Sequence, residues 1–204
     1  MSTLLFLGDS ITDCNHNFEP ENLGFGYVRM ISEKINTPEH KYQVLNKGND
    51  GFTISALSRL WNRSCKALQP DYITILIGIN DLSMMKNTGR TVSVGLAEFR
   101  QQYEALIEDI RTTTDCPILL MEPFIFPCPA EYCLWEPELQ MISKIILDIA
   151  EKYELAFLPL WEMLSSSAKE NGTSALTTDG IHLTSHGHSL LADKWLKFPK
   201  KFSL

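Results

Sequence analysis

Three short glycine-marked stretches carry the residue types and spacing that could do chemistry in this sequence. Gly8-Asp9-Ser10-Ile11-Thr12-Asp13 follows an apolar run, so the glycine permits a tight turn and Ser10 falls near the start of the next helix. A hydroxyl placed there lies beside free amide donors; equally, Asp9 or Ser10 could simply cap the helix. Gly78-Ile79-Asn80-Asp81 follows another apolar run. Its Asn80 amide can donate to a developing oxyanion, although an Asn-Asp pair is more commonly a turn or a cap. Asp179-Gly180-Ile181-His182 sets an acid and an imidazole three residues apart. Asp179 could orient His182 and stabilise its cation, as the base for a nucleophilic serine requires, or the two could form a satisfied structural pair. A fourth stretch, Asn46-Lys47-Gly48-Asn49-Asp50-Gly51, offers the backbone amide of Gly51 to a reacting oxygen, or an ordinary turn.

These stretches need elements that bring them to one place. Short apolar runs at 4–7, 42–45, 72–77, 118–121 and 156–158 have the length and composition of five buried parallel strands. Between them lie apolar residues at helical spacing, such as Ile54, Leu57, Leu60, Trp61, Cys65 and Leu68, or Ile142, Ile145, Ile146 and Ile149. Further helices are expected over about 93–113 and about 185–197, and 122–137, with four prolines, is expected to be a long loop. This alternation predicts an α/β fold, a three-layer α/β/α sandwich on a five-stranded parallel sheet, with ligands bound beyond the carboxyl ends of the strands. All four stretches fall on loops at that end. Together they supply a nucleophile, a base, its orienting acid and oxyanion donors.

The 204 residues suit a single domain spanning 1–204, with 44% hydrophobic and 21% charged residues and a mean hydropathy of −0.08. A formal net charge of −7 argues against a nucleic-acid backbone or an anionic membrane surface as partner. The apolar start is too short for a signal peptide, and no stretch reaches membrane-spanning length, so a cytoplasmic location is expected. Five cysteines (Cys14, Cys65, Cys116, Cys128, Cys133) without Cys-x-x-Cys spacing suggest reduced thiols rather than disulfides or a zinc site.

The blocks Gly8-Asp9-Ser10, Gly51, Gly78-x-Asn80-Asp81 and Asp179-x-x-His182 resemble, in order and spacing, those of the SGNH (GDSL-type) hydrolases, over nearly the whole chain. The resemblance implies a flavodoxin-like fold, a Ser10-His182-Asp179 triad, and an oxyanion hole formed by the Ser10 amide, the Gly51 amide and the Asn80 side chain. Stretches 8–14, 23–28, 46–48 and 77–81 look more narrowly like intracellular acetylxylan esterases. That implies a serine esterase releasing acetyl groups from xylo-oligosaccharides or other sugars, with no metal or cofactor and with room for a homo-oligomer. Thioesterase or lysophospholipase activity and a non-catalytic carbohydrate-binding relative are the alternatives. Two positions depart from the common pattern: Asp50 precedes Gly51 where serine is frequent, and Thr178 precedes Asp179 where some such esterases carry tryptophan.

Other residues compete for these roles. His186 and His188 are rival bases, but lack an acid at short spacing and are expected to face solvent or cap the last helix. The aspartates Asp9, Asp13, Asp50 and Asp81 could build a divalent-metal phosphatase, but no phosphate-cradling G-x-x-x-x-G-K loop is present. Asp9 is expected beside the substrate, tying loops together. Phe124, Phe126, Tyr132 and Trp135 offer aromatic faces that suit sugar rings, so Phe124 and Trp135 are taken as substrate-binding.

Overall fold

Strands buried on both faces are predominantly apolar, and the central strands of the sheet are built this way. In the computed structural model, which describes residues 1–89 and 91–198, β1 (Ser2–Gly8), β2 (Tyr42–Gly48), β3 (Tyr72–Leu76), β4 (Ile118–Met121) and β5 (Ala156–Leu158) pair in parallel. Their order is β2-β1-β3-β4-β5. Among the described residues, eight α-helices surround the sheet: α1 (Ser10–Asp13), α2 (Tyr27–Ile35), α3 (Ile54–Leu60), α4 (Ile79–Asn87), α5 (Val92–Thr113), α6 (Glu136–Lys152), α7 (Trp161–Asn171) and α8 (Ser185–Lys197). Successive strand residues point to opposite faces. Leu5, Leu7, Ile73, Ile75, Ile118 and Leu120 therefore share one core with residues of α3 to α6. Leu4, Phe6, Tyr72, Leu76, Leu119 and Met121 share another with α2, α7 and α8. The strand order reverses between β1 and β3, where the loops diverge and open a crevice at the carboxyl edge.

Two elements differ from expectation. The apolar spacing of 54–68 predicts one helix, but α3 gives way to a π-type turn over Trp61–Cys65 and a 3-10 turn over Lys66–Leu68. Ser58, Asn62 and Ser64 bond back to the carbonyls of Ile54, Ser58 and Leu60, and such side chains loosen the helical ladder. Likewise, the expected loop at 122–137 holds a 3-10 turn at Ala130–Leu134, and α6 already begins at Glu136. Pro137 fits its first turn, where no amide donor is needed. Among the described residues, no helix is long and apolar enough to cross a membrane.

The switch point is closed by contact that only glycine admits. Gly8 and Gly48 are in register across β1 and β2, and α1 lies directly over them. A Cβ on Gly48 would fall 2.2 Å from the Asp13 nitrogen, and one on Gly8 would fall 2.3 Å from Thr12 Oγ1. Buried Asn46 fastens the same turn. Its side-chain amide donates to the carbonyls of Thr12 (2.7 Å) and Leu23 (2.8 Å), while its oxygen accepts from the Gly48 amide (2.9 Å).

Candidate active site

Ser10 is the first residue of α1, and the cap of that helix is the preceding residue: Asp9 accepts from the Ile11 amide at 3.0 Å. The Ser10 hydroxyl is thereby left free for another partner. His182 Nε2 lies 2.9 Å from Ser10 Oγ, and His182 Nδ1 lies 2.6 Å from Asp179 Oδ2. The other oxygen of Asp179 accepts from the amides of Ile181 (3.0 Å) and His182 (2.8 Å). Burial pulls the Asp179 pKa up, but the His182 ring and these amides outweigh it and hold the carboxyl below its ordinary range. An ionised Asp179 places the ring proton on Nδ1 and leaves Nε2 as an acceptor facing Ser10.

The Asp-x-x-His loop is fixed at both ends. The His182 carbonyl accepts from the Thr177 hydroxyl (2.8 Å) and the Thr178 amide (3.0 Å), and Thr184 caps α8. In its middle, Gly180 has φ +94° and lies so close to Cys128 that a Cβ would meet its carbonyl at 1.9 Å. The Gly180 carbonyl accepts from the Phe126 amide at 2.8 Å, docking the Asp-x-x-His loop on the segment after β4.

The oxyanion candidates are joined by a chain of hydrogen bonds. Gly51 has φ +70°, and neither its amide nor that of Ser10 has an acceptor among the described residues. Asn80 donates to the Phe52 carbonyl at 3.0 Å, which leaves one of its two N–H groups unused. Next to it, both oxygens of Asp81 accept from the Ile54 amide at 3.1 Å. On the other side, Asp13 accepts from the Asp50 amide (3.0 Å) and from the His16 ring (2.7 Å), tying the Gly51 turn to α1.

Two buried carboxyls and one buried imidazole are shifted far from their usual range. Burial pushes the carboxyls of Asp9 and Asp81 up to about 7, against the amide bonds from Ile11 and Ile54. Burial also pushes the His188 imidazole down to about 4. In the folded protein Asp81 keeps a proton that the unfolded chain loses near pH 3.8, so its contribution is full in acid and is lost as pH rises from about 4 to about 7. His188 has the opposite sense, weakening the fold as pH falls from 6.5 to about 4. Asp81→Asn keeps an oxygen for Ile54 and removes only the titration. Its stability relative to the parent is expected to improve between pH 4.5 and pH 7, by about 1 kcal/mol or more. Urea unfolding at the two pH values checks this; equal differences at both would remove the assignment.

Two of the residues expected beside substrate are buried in the structure. Asp9 is 1% exposed and serves as the α1 cap. Phe124 is also 1% exposed, packed edge-on against Phe126 in the core with α2 and α8, because the segment after β4 continues the buried face of that strand. Both side chains are packed inside the fold. Trp135 is half-buried, 4.9 Å from Tyr132, whose ring lies against Gly180. His186 is exposed, but His188 is buried rather than solvent-facing: its Nδ1 accepts from the Tyr27 amide (3.2 Å) and its Nε2 lies 3.5 Å from Cys14 Sγ. The sequence reading missed Asn46 as the fastener of α1; a polar residue directly following the apolar run of β2 was the available signal.

A serine, histidine and aspartate in hydrogen-bonded sequence at the carboxyl edge of this sheet define the geometry of an acyl-transfer hydrolase. Residues 6–190 match the GDSL-like lipase/acylhydrolase family, and the chain belongs to it as a carboxylic ester hydrolase. It is 30% identical to an acetylxylan esterase of Geobacillus stearothermophilus, over 95% of this chain and 92% of that protein. The crystal structure of Axe2, an acetylxylan esterase from the same organism, superposes with a TM-score of 0.83 at 28% identity, covering 96% of this chain and 93% of that one. A GDSL-like lipase structure from Parabacteroides merdae gives 0.85 at 26% identity, covering 96% and 94%.

Proposed function

We propose that this chain is a serine esterase that removes acetyl groups from sugars, xylo-oligosaccharides being the leading class. The observation that carries the reading is the Ser10-His182-Asp179 relay, at 2.9 and 2.6 Å, in a chain so similar to an acetylxylan esterase. In this reading Ser10 gives its proton to His182 Nε2 as its oxygen attacks the ester carbonyl. The resulting oxyanion accepts from the Ser10 and Gly51 amides and the free N–H of Asn80. His182 then protonates the sugar oxygen as its bond to the acyl carbon breaks, so the sugar leaves as its alcohol and acetyl-Ser10 remains. Water, deprotonated by the same nitrogen, attacks this ester, and collapse releases acetate and restores the serine. Asp179 holds the tautomer throughout. The side chains of His182 and Asp179 are about half exposed (48% and 51%), an open setting that leaves room for a large hydrated alcohol. Tyr132 and Trp135 form an aromatic wall beside the Asp179–His182 loop.

The test is kcat/KM on 4-nitrophenyl acetate, butyrate and octanoate, together with acetate release from peracetylated xylose. Acetate is expected to exceed octanoate by about tenfold or more, since an esterase adapted to acetyl groups gains nothing from the longer chain and must accommodate it. Acetate release from the sugar should accompany it. Preference for octanoate would overturn the acyl-group assignment while leaving the triad in place.

A further inference from the structure

A groove of about 400 Å³ opens at the same carboxyl edge as the triad, between the segment following β4 and one face of α7. That volume lies in the range of about 300–1,000 Å³ typical of small-molecule sites. Its walls are Phe126 and Pro127 on one side, and Trp161, Ser165 and Lys169 on the other, with Glu136 at the start of α6. Residues 161, 165 and 169 recur every fourth position, so they share one face of α7.

Two features single this groove out. The first is its chemistry. The Trp161 indole N–H, the Ser165 hydroxyl, the Lys169 ammonium and the Glu136 carboxylate have no hydrogen-bond or ion-pair partner among the described residues. Nearby charges on α4 and α6 are paired, Lys86 with Glu138 and Lys144 with Asp148. An aromatic face, a proline ring, two donors, an acceptor and a hydroxyl in one cleft match a pyranose ring, which has apolar faces and a rim of hydroxyls. The second is continuity with the triad. Phe126 donates its amide to Gly180, the neighbour of Asp179, so this groove wall and the catalytic loop are bonded to each other.

We infer that this groove is a subsite for a second sugar ring of an acetylated oligosaccharide, with the ring stacked on Trp161 and its hydroxyls bonded by Glu136, Ser165 and Lys169. The inference rests on the sugar-ester reading above and adds to it a requirement for more than one ring.

The experiment compares acetylated xylotetraose with 4-nitrophenyl acetate in the parent protein, in Ser165→Trp, which fills the groove, and in Lys169→Ala, at an exposed position. The readout is the ratio of kcat/KM for the sugar ester to that for the aryl ester. Ser165→Trp is expected to lower it about tenfold through KM. Lys169→Ala should lower it about threefold. An unchanged ratio in both variants overturns the subsite. If Ser165→Trp is inactive on both esters, Lys169→Ala alone decides. A parent that cleaves the aryl ester but not acetylated xylotetraose overturns the inference while leaving esterase chemistry standing; a parent inert on both removes the catalytic reading as well.

Discussion

Replacing Ser10 by alanine is expected to lower kcat for 4-nitrophenyl acetate by on the order of 10⁴-fold or more, with stability changed by no more than about 0.5 kcal/mol. The two halves of this result separate the roles open to Ser10. Were it a helix cap, its loss would cost about 1 kcal/mol and spare activity. In the structure the cap of α1 is Asp9, and the Ser10 hydroxyl faces His182 Nε2 at 2.9 Å. In the proposed reading, removal of the hydroxyl leaves the imidazole with nothing to deprotonate except water, and only the oxyanion donors continue to lower the barrier. Steady-state kinetics with urea unfolding on the same preparation make the measurement. Activity kept within tenfold of the parent would take the nucleophile away from Ser10.

Asp179→Asn is expected to lower kcat by about 10³ to 10⁴-fold. The amide oxygen can still accept from the Ile181 and His182 amides, now at 3.0 and 2.8 Å, so the loop is expected to stay in place. Its NH₂ group then faces His182 Nδ1, which must become the acceptor. The ring proton moves to Nε2 and points at Ser10, the wrong tautomer for a base. Because the Asp179 side chain is 51% exposed, Asp179→Ala lets water reach Nδ1, so the alanine variant should lose less than the asparagine variant. Asparagine and aspartate enzymes of equal kcat would show that the acid does not set the tautomer.

How much of this was legible in the sequence depended on whether local pattern or distant packing decided each feature. The strands were legible because burial on both faces of a parallel sheet leaves continuous apolar runs. The pair Asp179 and His182 was legible because its geometry is local, closed within one short turn. Helix α2 was open to detection, with Tyr27, Val28, Ile31 and Ile35 buried along one stripe, whereas α4 follows Gly78 with little periodic signal. The aromatics after β4 misled. Phe124 and Trp135 are alike in type, but one continues the inner face of a strand and the other lies against Tyr132 beside α6, a difference set by the backbone path. His188 was misread for the same reason: its burial depends on α8 packing against α2, a contact between segments far apart in the chain. The groove on α7 had no linear signature, because its walls come from three elements.

Ser10 and His182 are separated by 172 positions, and their hydrogen bond closes nearly the whole chain into one loop. Contacts of such long range form only after the entropy of bringing distant segments together has been overcome. Ser10 and His182 are therefore brought together by the sheet and by the packing of α8 on α2, not by any local turn. In the proposed reading, a chain in which α8 is undocked from α2 holds the same side chains without the Ser10–His182 pair, so hydrolysis becomes a report on the packing of two helices distant in sequence.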